Sequence, residues 1–197
     1  MEGLLGFVLA GFALIGSPGP ATLSLAATGA AFGARNGLPF MAGIVSGMVV
    51  VMVAVAAGLA ALILALPGAT PIAATLAAAY IVYLAYRIAT APPLAESRDQ
   101  QNRPSFMGGV LLAFANPKGW AAMTALFSGF VLIEGSLVWN AAIMVMILAT
   151  IMTITDVSWL FVGAMLTRVF REPRLNRLIN VSFAVLLVAS VALTLLV

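Results

Sequence analysis

Two proline-containing breaks in apolar sequence are the features of this chain whose residue types and spacing indicate chemistry. The breaks are Ser17–Pro20 (SPGP) and Asn116–Gly119 (NPKG), and they lie 99 residues apart, Pro18 to Pro117, in a chain of 197 residues. Proline has no N–H, and its ring clashes with the carbonyl four residues earlier. In a membrane such a break must face protein or a water-filled cavity. Matched breaks in two spans therefore indicate the binding site of a repeat-built transporter.

Each break is also predicted to start a second half-helix. Ser17 precedes Pro18 and Asn116 precedes Pro117, and Ser and Asn are favoured N-caps while proline is favoured at the first helical position. The N-terminus of a helix attracts anions. We therefore expect two helix N-termini, one from each half of the protein, to converge on a carboxylate.

Two charged residues within the apolar segments strengthen this prediction. Lys118 belongs to the second break, and Asp156 lies twelve residues before Arg168, which is about 18 Å along a helix and roughly halfway across a hydrocarbon core of about 30 Å. A charge at the centre of a membrane helix costs about 2.5–3.5 kcal/mol, and such residues usually mark pathways or proton relays. Because the chain has no histidine, Asp156 is the predicted proton carrier. Nearby candidates for lining the pocket are Thr22, Trp120, Thr153, Thr155 and Trp159.

These features also have structural explanations that the sequence leaves open. Lys118 and Asp156 could form an ion pair that locks two spans together. The breaks could be simple kinks, since Gly and Pro are common in membrane helices. Gly43 and Gly47 form a GxxxG pattern, which indicates close helix contact in most cases and a homodimer face in fewer.

The composition points to a membrane protein. Hydrophobic residues make up 63% of the chain and charged residues 8%, whereas a typical soluble domain has about 25% charged residues. We attribute the formal charge of +3 to basic loops at the membrane, and not to nucleic-acid binding. Without cysteine or histidine, disulfides, thiolate sites and the commonest metal ligand are excluded, so no cofactor is expected. Glu2 is the only charge before the first apolar run, which does not fit a cleaved signal peptide.

Six apolar segments are predicted to span the bilayer, each needing about 20 residues. Eight of the nine basic residues fall in the first, third and fifth connections, and the ninth is Lys118 inside a span. Since cytoplasmic loops carry the excess of Lys and Arg, both termini are predicted to face outside. The predicted spans lie near Gly3–Phe32, Leu38–Leu66, Pro71–Tyr86, Ser105–Ile133, Leu137–Leu166 and Leu178–Val197.

A polar loop, 91–104, divides the single predicted domain, 1–197, into halves of about 1–90 and 105–197. Each half has three predicted spans, and because three is odd a duplicated half must be inverted relative to its partner. The predicted fold class is therefore an all-α membrane protein with six transmembrane helices in two inverted three-helix repeats. The first helix of each repeat is broken by proline.

At this point the sequence resembles the LysE/RhtB type of exporters, a family that carries lysine, homoserine, threonine and related amino acids. The resemblance implies export of amino acids or related metabolites across a bacterial inner membrane, driven by an ion gradient that is expected to be of protons. It also implies functional roles for Pro18, Gly19, Pro20, Asn116, Pro117, Lys118 and Asp156. Gly119 stands where the family more usually has alanine, and Asn180 where it often has glycine, and both departures bear on the cargo. The matching stretches are Pro18–Pro20, Gly33–Gly37, Gly43 with Gly47, Ala79–Arg87, Gly109, Asn116–Lys118, and Asp156 with Trp159.

The combined prediction is a secondary exporter, with protons and lipid as its partners besides the substrate and with a homodimer left open. The half-helix starts and Lys118 are predicted to bind the substrate carboxylate, and Asp156 to bind the substrate ammonium or the coupling proton. A passive channel or pore is the alternative. An intramembrane enzyme is disfavoured because the chain has no HExxH and no Cys or His to pair with a nucleophile. The predicted substrate-binding residues are Ser17, Pro18, Gly19, Pro20, Thr22, Asn116, Pro117, Lys118, Asp156 and Trp159.

Overall fold

The computed structural model describes residues 2–58, 69–90 and 104–169, together with 177–178, 181–182, 184–186 and 188–189. Throughout these residues the regular structure is α-helical, and no strand occurs among them. Seven helices of ten or more residues are defined in this part of the chain. They are α1 (Glu2–Gly16), α2 (Pro20–Phe32), α3 (Ala34–Ala56), α4 (Ala69–Ala89), α5 (Phe106–Ala115), α6 (Pro117–Gly129) and α7 (Leu137–Val169).

Two of the described helices are long and apolar enough to cross a membrane, namely α3 and the segment Leu137–Met165 of α7. Helices α1 and α2 meet at an angle of 56° and make a third span if they are counted together. The predicted arrangement of six spans extends beyond the described residues. Most of the loop 91–104, the end of the second predicted span and most of the sixth lie outside them.

Helix α2 lies at the centre of the described structure. All of its residues except Ala21 are buried, and it contacts α3, α4 and α7. Its sequence is apolar or small on every face, and a helix of that kind is normally buried on all sides. Gly33 ends α2 with a positive φ of 79°, a left-handed conformation that glycine adopts without steric cost. The chain can therefore turn directly from α2 into α3.

Reciprocal glycines hold α2 against α7. Gly29 in α2 faces the carbonyl of Leu160 in α7, and Gly163 in α7 faces the carbonyl of Ala26 in α2. A Cβ atom at either glycine would overlap the opposite backbone. Small residues of this kind let two membrane helices approach to backbone contact.

A second pair of reciprocal glycines holds α3 against α5. Gly43 in α3 faces the carbonyl of Phe106, and Gly109 in α5 faces the carbonyl of Phe40. Gly47 lies one turn along α3 from Gly43 and also faces α5. The GxxxG pattern is thus used for close contact within the chain, as most such patterns are, and this face is not available to a second copy.

Candidate functional site: two helix breaks that meet at a buried pocket

The first break differs in one respect from the sequence prediction. Helix α2 begins at Pro20 with Gly19 as its N-cap, so the prediction that Ser17 caps it was wrong. The Ser17 hydroxyl instead donates to the carbonyl of Leu14 at 3.1 Å, within the last turn of α1. Two prolines stand in this break, and the second one takes the first helical position, which moves the helix start two residues along the chain.

The carbonyls that the first break leaves without helical partners are satisfied by side chains. Besides the Ser17 hydroxyl on Leu14, the indole Nε1 of Trp159 in α7 donates to the carbonyl of Gly16 at 3.1 Å. The Thr22 hydroxyl accepts a hydrogen bond from the backbone N–H of Gly19 at 2.9 Å. A break inside an apolar protein must find such partners, since each unsatisfied group there is costly.

The second break follows the sequence prediction more closely. Helix α6 begins at Pro117 with Asn116 as its N-cap, although the Asn116 side chain makes no capping hydrogen bond. The carbonyl of Ala113 accepts from the backbone N–H of Asn116 at 3.4 Å, and the carbonyl of Phe114 accepts from the indole of Trp120 at 3.0 Å. Asn116 itself is buried, and its Oδ1 atom has no hydrogen-bond partner.

Trp159→Phe is expected to destabilise the protein by about 1 kcal/mol, because the Gly16 carbonyl loses the indole N–H that donates to it while an aromatic ring remains. Thermal unfolding in detergent measures this change. Trp139→Phe is the matched control, since the Trp139 side chain lies 68% exposed at the start of α7. Equal unfolding temperatures for the two variants would contradict the capping role of the Trp159 indole.

Lys118 joins the two breaks directly. Its Nζ atom, at the start of α6, donates to the carbonyl of Ser17 at 2.6 Å and to the carbonyl of Pro18 at 3.3 Å. Its aliphatic chain runs past Gly19, where an added Cβ would come within 2.7 Å of the Lys118 Cδ. Glycine at position 19 thus leaves room for the Lys118 side chain. The ammonium of the second break therefore bonds to the backbone of the first.

Asp156 lies near the middle of α7 and is only 2% exposed. Its Oδ2 atom has no hydrogen-bond partner among the described residues. Because the Lys118 ammonium is directed to the carbonyls of Ser17 and Pro18, the alternative of a structural ion pair between Lys118 and Asp156 is not what the described residues form. The carboxylate is therefore buried without a charged partner, which is a costly arrangement and one that usually marks a functional residue.

A pocket of about 40 Å³ lies between the two breaks. A cavity of this size holds a few water molecules, since one water needs at least about 10–15 Å³. The side chains around it include one acid, Asp156, and one base, Lys118. The lining residues are Leu14, Ile15, Gly19, Ala21, Thr22, Ile44, Met48, Asn116, Lys118, Gly119, Ala122, Met123, Met152 and Asp156.

The structure brings half of the predicted site residues to this pocket. Gly19, Thr22, Asn116, Lys118 and Asp156 line it, whereas Ser17, Pro18, Pro20, Pro117 and Trp159 do not. Those five residues belong to the breaks or stabilise them. The carbonyls of Ser17 and Pro18 accept from Lys118, and the indole of Trp159 donates to the first break. Pro20 and Pro117 take the first positions of α2 and α6. The additional candidates Trp120, Thr153 and Thr155 do not line the pocket either. Their side chains donate hydrogen bonds to backbone carbonyls three to six residues earlier in the chain.

Sequence reasoning missed the apolar wall of the pocket. Met48 comes from α3, Met123 from α6 and Met152 from α7, and all three are buried. Methionine in an apolar segment is ordinary core composition, and no spacing in the sequence marks these three. Met152 lies four residues before Asp156, so the two share a face of the helix. This spacing is the one local signal from which a residue of the apolar wall could have been predicted.

The sequence of the chain matches a known protein family. The family model for the LysE type translocator matches residues 12–197. The chain belongs to the LysE type translocator family. The resemblance seen in the sequence is thus confirmed.

Curated relatives of this LysE type translocator include cysteine/O-acetylserine efflux proteins. The protein of Escherichia coli O1:K1 / APEC is 37% identical over 113 residues, 56% of this chain and 55% of the relative. The proteins of Escherichia coli strain K12 and of Shigella flexneri serotype 5b are each 38% identical over 112 residues, with the same coverage. The matched part thus spans about half the length of these relatives, 55%. No solved structure matches the chain.

Proposed function

We propose that this protein is a secondary exporter that moves an amino acid or a related small metabolite out across the bacterial inner membrane. The observation that carries the proposal is the pocket between the two helix breaks, where a buried acid and a half-buried base lie together in an apolar protein. The family supports a transporter, and relatives named as efflux proteins support the outward direction. Both termini then face the periplasm, in line with the distribution of Lys and Arg.

The substrate's carboxylate is proposed to bind at Lys118. An ammonium has three donors, and two of those on Lys118 are directed to the carbonyls of Ser17 and Pro18, which leaves the third for the substrate. The N-terminus of α6 lies beside it and favours an anion. Asn116 Oδ1 and Asp156 Oδ2 are the unpartnered acceptors at the pocket, and they suit the substrate's ammonium.

Asp156 is also proposed to carry the coupling proton. It is buried, it lines the pocket and its Oδ2 atom has no partner, so a proton and a substrate ammonium can compete for the same carboxylate. Exclusive binding of the two at one site couples export of the substrate to entry of a proton.

The proposed architecture is an inverted repeat in which the two halves move against each other. Helices α1 and α2, the broken span of the first half, both contact α7 of the second half. Helices α5 and α6, the broken span of the second half, both contact α3 of the first half. This exchange of partners is what a two-fold relation between the halves requires, and it puts both breaks at the interface that alternating access must open and close.

Counterflow in proteoliposomes tests the proposed function. The wild-type protein is expected to take up a labelled amino acid faster when the vesicles are loaded with the same unlabelled amino acid, and to saturate. Lys118→Met is expected to reduce this exchange by about a hundredfold, because the variant removes the charge that fixes the carboxylate. Arg35→Met removes one positive charge from an exposed position and is the matched control.

Two results would count against the proposal. Uptake that neither saturates nor responds to the loaded amino acid is the behaviour of a pore. Normal exchange by Lys118→Met, at the same amount of inserted protein, would remove the carboxylate site from Lys118.

A further inference from the structure

The charges of the pocket limit which substrates fit it. Among the described residues that line it, Asp156 is the only acid and Lys118 the only base. The two charges match the ammonium and the carboxylate of one α-amino acid. A lysine or glutamate side chain would bring a third charge, for which the lining has no opposite partner, and an unpaired buried charge is strongly disfavoured.

The apolar part of the lining supplies the contact for the substrate's side chain. It includes four large buried side chains from three helices, and three of them are methionines, which are flexible and adapt to the shape of a bound group. In the part of the chain that the structure describes, no aromatic residue lines the pocket. The four side chains are Ile44, Met48, Met123 and Met152.

Gly119 lies where this apolar wall meets the polar end of the pocket. An added Cβ there would come within 3.0 Å of Met48 Sδ, 3.2 Å of Met48 Cε and 3.3 Å of Asn116 Nδ2. The helix of Gly119 is regular at this point and its φ is not positive, so the absent side chain is not required by the backbone. What the glycine provides is room for Met48 and Asn116 to lie close to the backbone of α6, where a larger residue would push them aside.

On the basis of the proposed function, we infer that the substrate is an α-amino acid with an uncharged side chain, and that Gly119 sets the largest side chain the pocket admits. The α-amino and α-carboxylate groups occupy Asp156 and Lys118. The side chain lies against the wall that Met48 forms with its neighbours, and the missing Cβ of Gly119 lets Met48 lie back against α6. An alanine at position 119 pushes Met48 toward the substrate and shortens the space for its side chain.

The test is counterflow with the full-length protein and labelled alanine, serine, cysteine, methionine, lysine and glutamate. The uncharged amino acids are expected to exchange, and lysine and glutamate to exchange at least about a hundredfold more slowly. In Gly119→Ala the ratio of methionine to alanine exchange is expected to fall about tenfold, in the range that a methylene or two is worth in an apolar pocket. Gly129→Ala, in the same helix but with no atom near the added Cβ, should keep the wild-type ratio.

Met48→Ala changes the same space in the opposite direction. It widens the pocket, so the ratio of methionine to alanine exchange is expected to rise. Because the readout is a ratio between two substrates in one preparation, it does not depend on how much of either variant is correctly inserted.

The outcomes separate this inference from the proposed function. If the wild-type protein exchanges none of the labelled amino acids, the proposed function fails, and this inference fails with it. If lysine or glutamate exchanges as fast as alanine, or if Gly119→Ala and Met48→Ala both keep the wild-type ratio, the inference alone is overturned and amino-acid transport stands.

Discussion

Replacing Asp156 with Asn is expected to lower gradient-driven export to less than about 1% of the wild-type rate. The two side chains have nearly the same shape, so the buried position in α7 should tolerate the change. Asparagine cannot take up and release a proton in the working range, and it offers no negative charge to an ammonium group. The variant therefore removes the ionisable group and its negative charge, and it keeps the shape of the side chain.

Two transport modes distinguish the two roles proposed for Asp156. If the carboxylate carries only the proton, Asp156→Asn loses gradient-driven export but keeps exchange of substrate for substrate. If it also binds the substrate's ammonium, as we propose, both modes are lost. Glu134→Gln removes a carboxylate from an exposed position after α6 and is the control that should behave as wild type. Full gradient-driven export by Asp156→Asn, at normal expression, would remove Asp156 from the mechanism.

Gly43→Ala is expected to destabilise the folded protein by about 3 kcal/mol or more, the upper range for overfilled contacts. The added Cβ would overlap the carbonyl of Phe106 and would lie within 3.1 Å of the backbone nitrogen of Val110. Backbone atoms in the middle of a helix cannot turn aside as a flexible side chain can. Helices α3 and α5 would have to separate along the whole contact.

Size-exclusion chromatography and thermal unfolding in detergent measure the effect of Gly43→Ala. The matched control is Gly3→Ala in α1, where an added Cβ meets no atom within 4 Å. A Gly43→Ala protein that unfolds at the same temperature as the Gly3→Ala protein would show that the close approach of α3 and α5 contributes little to stability.

Local features of the fold were predictable because local chemistry produces them. Proline interrupts a helix wherever it stands inside one, so the sequence predicts helix ends near Pro18 and Pro117, and the structure has them at Gly16 and Ala115. The start of α7 at Leu137 also agrees with the predicted span. The start of α2 was placed wrongly because two prolines compete for the first helical position, and the order of residues does not say which of them takes it.

Contacts between distant segments were not predictable in the same way. The sequence marks Lys118 and Asp156 as costly charges, and the expectation that they could pair was reasonable on charge alone. Whether they do depends on where α6 and α7 lie relative to the first break. In the structure the Lys118 ammonium donates to the carbonyl of Ser17 at 2.6 Å instead. The partner of Trp159, the carbonyl of Gly16, follows from the same arrangement of helices. Such pairings are properties of tertiary structure.

If the two halves change their relative tilt as proposed, the reciprocal glycine contacts have a mechanical consequence. At Gly29 with Gly163, and again at Gly43 with Gly109, the backbones of the two helices approach to direct contact. Helices whose side chains interdigitate must separate before they can rotate against each other, whereas helices in direct backbone contact can rotate in place. In the proposed inverted repeat these crossings join a broken span of one half to the long helix of the other, so each can act as a pivot at which the pocket changes the side to which it opens while the helices stay in contact.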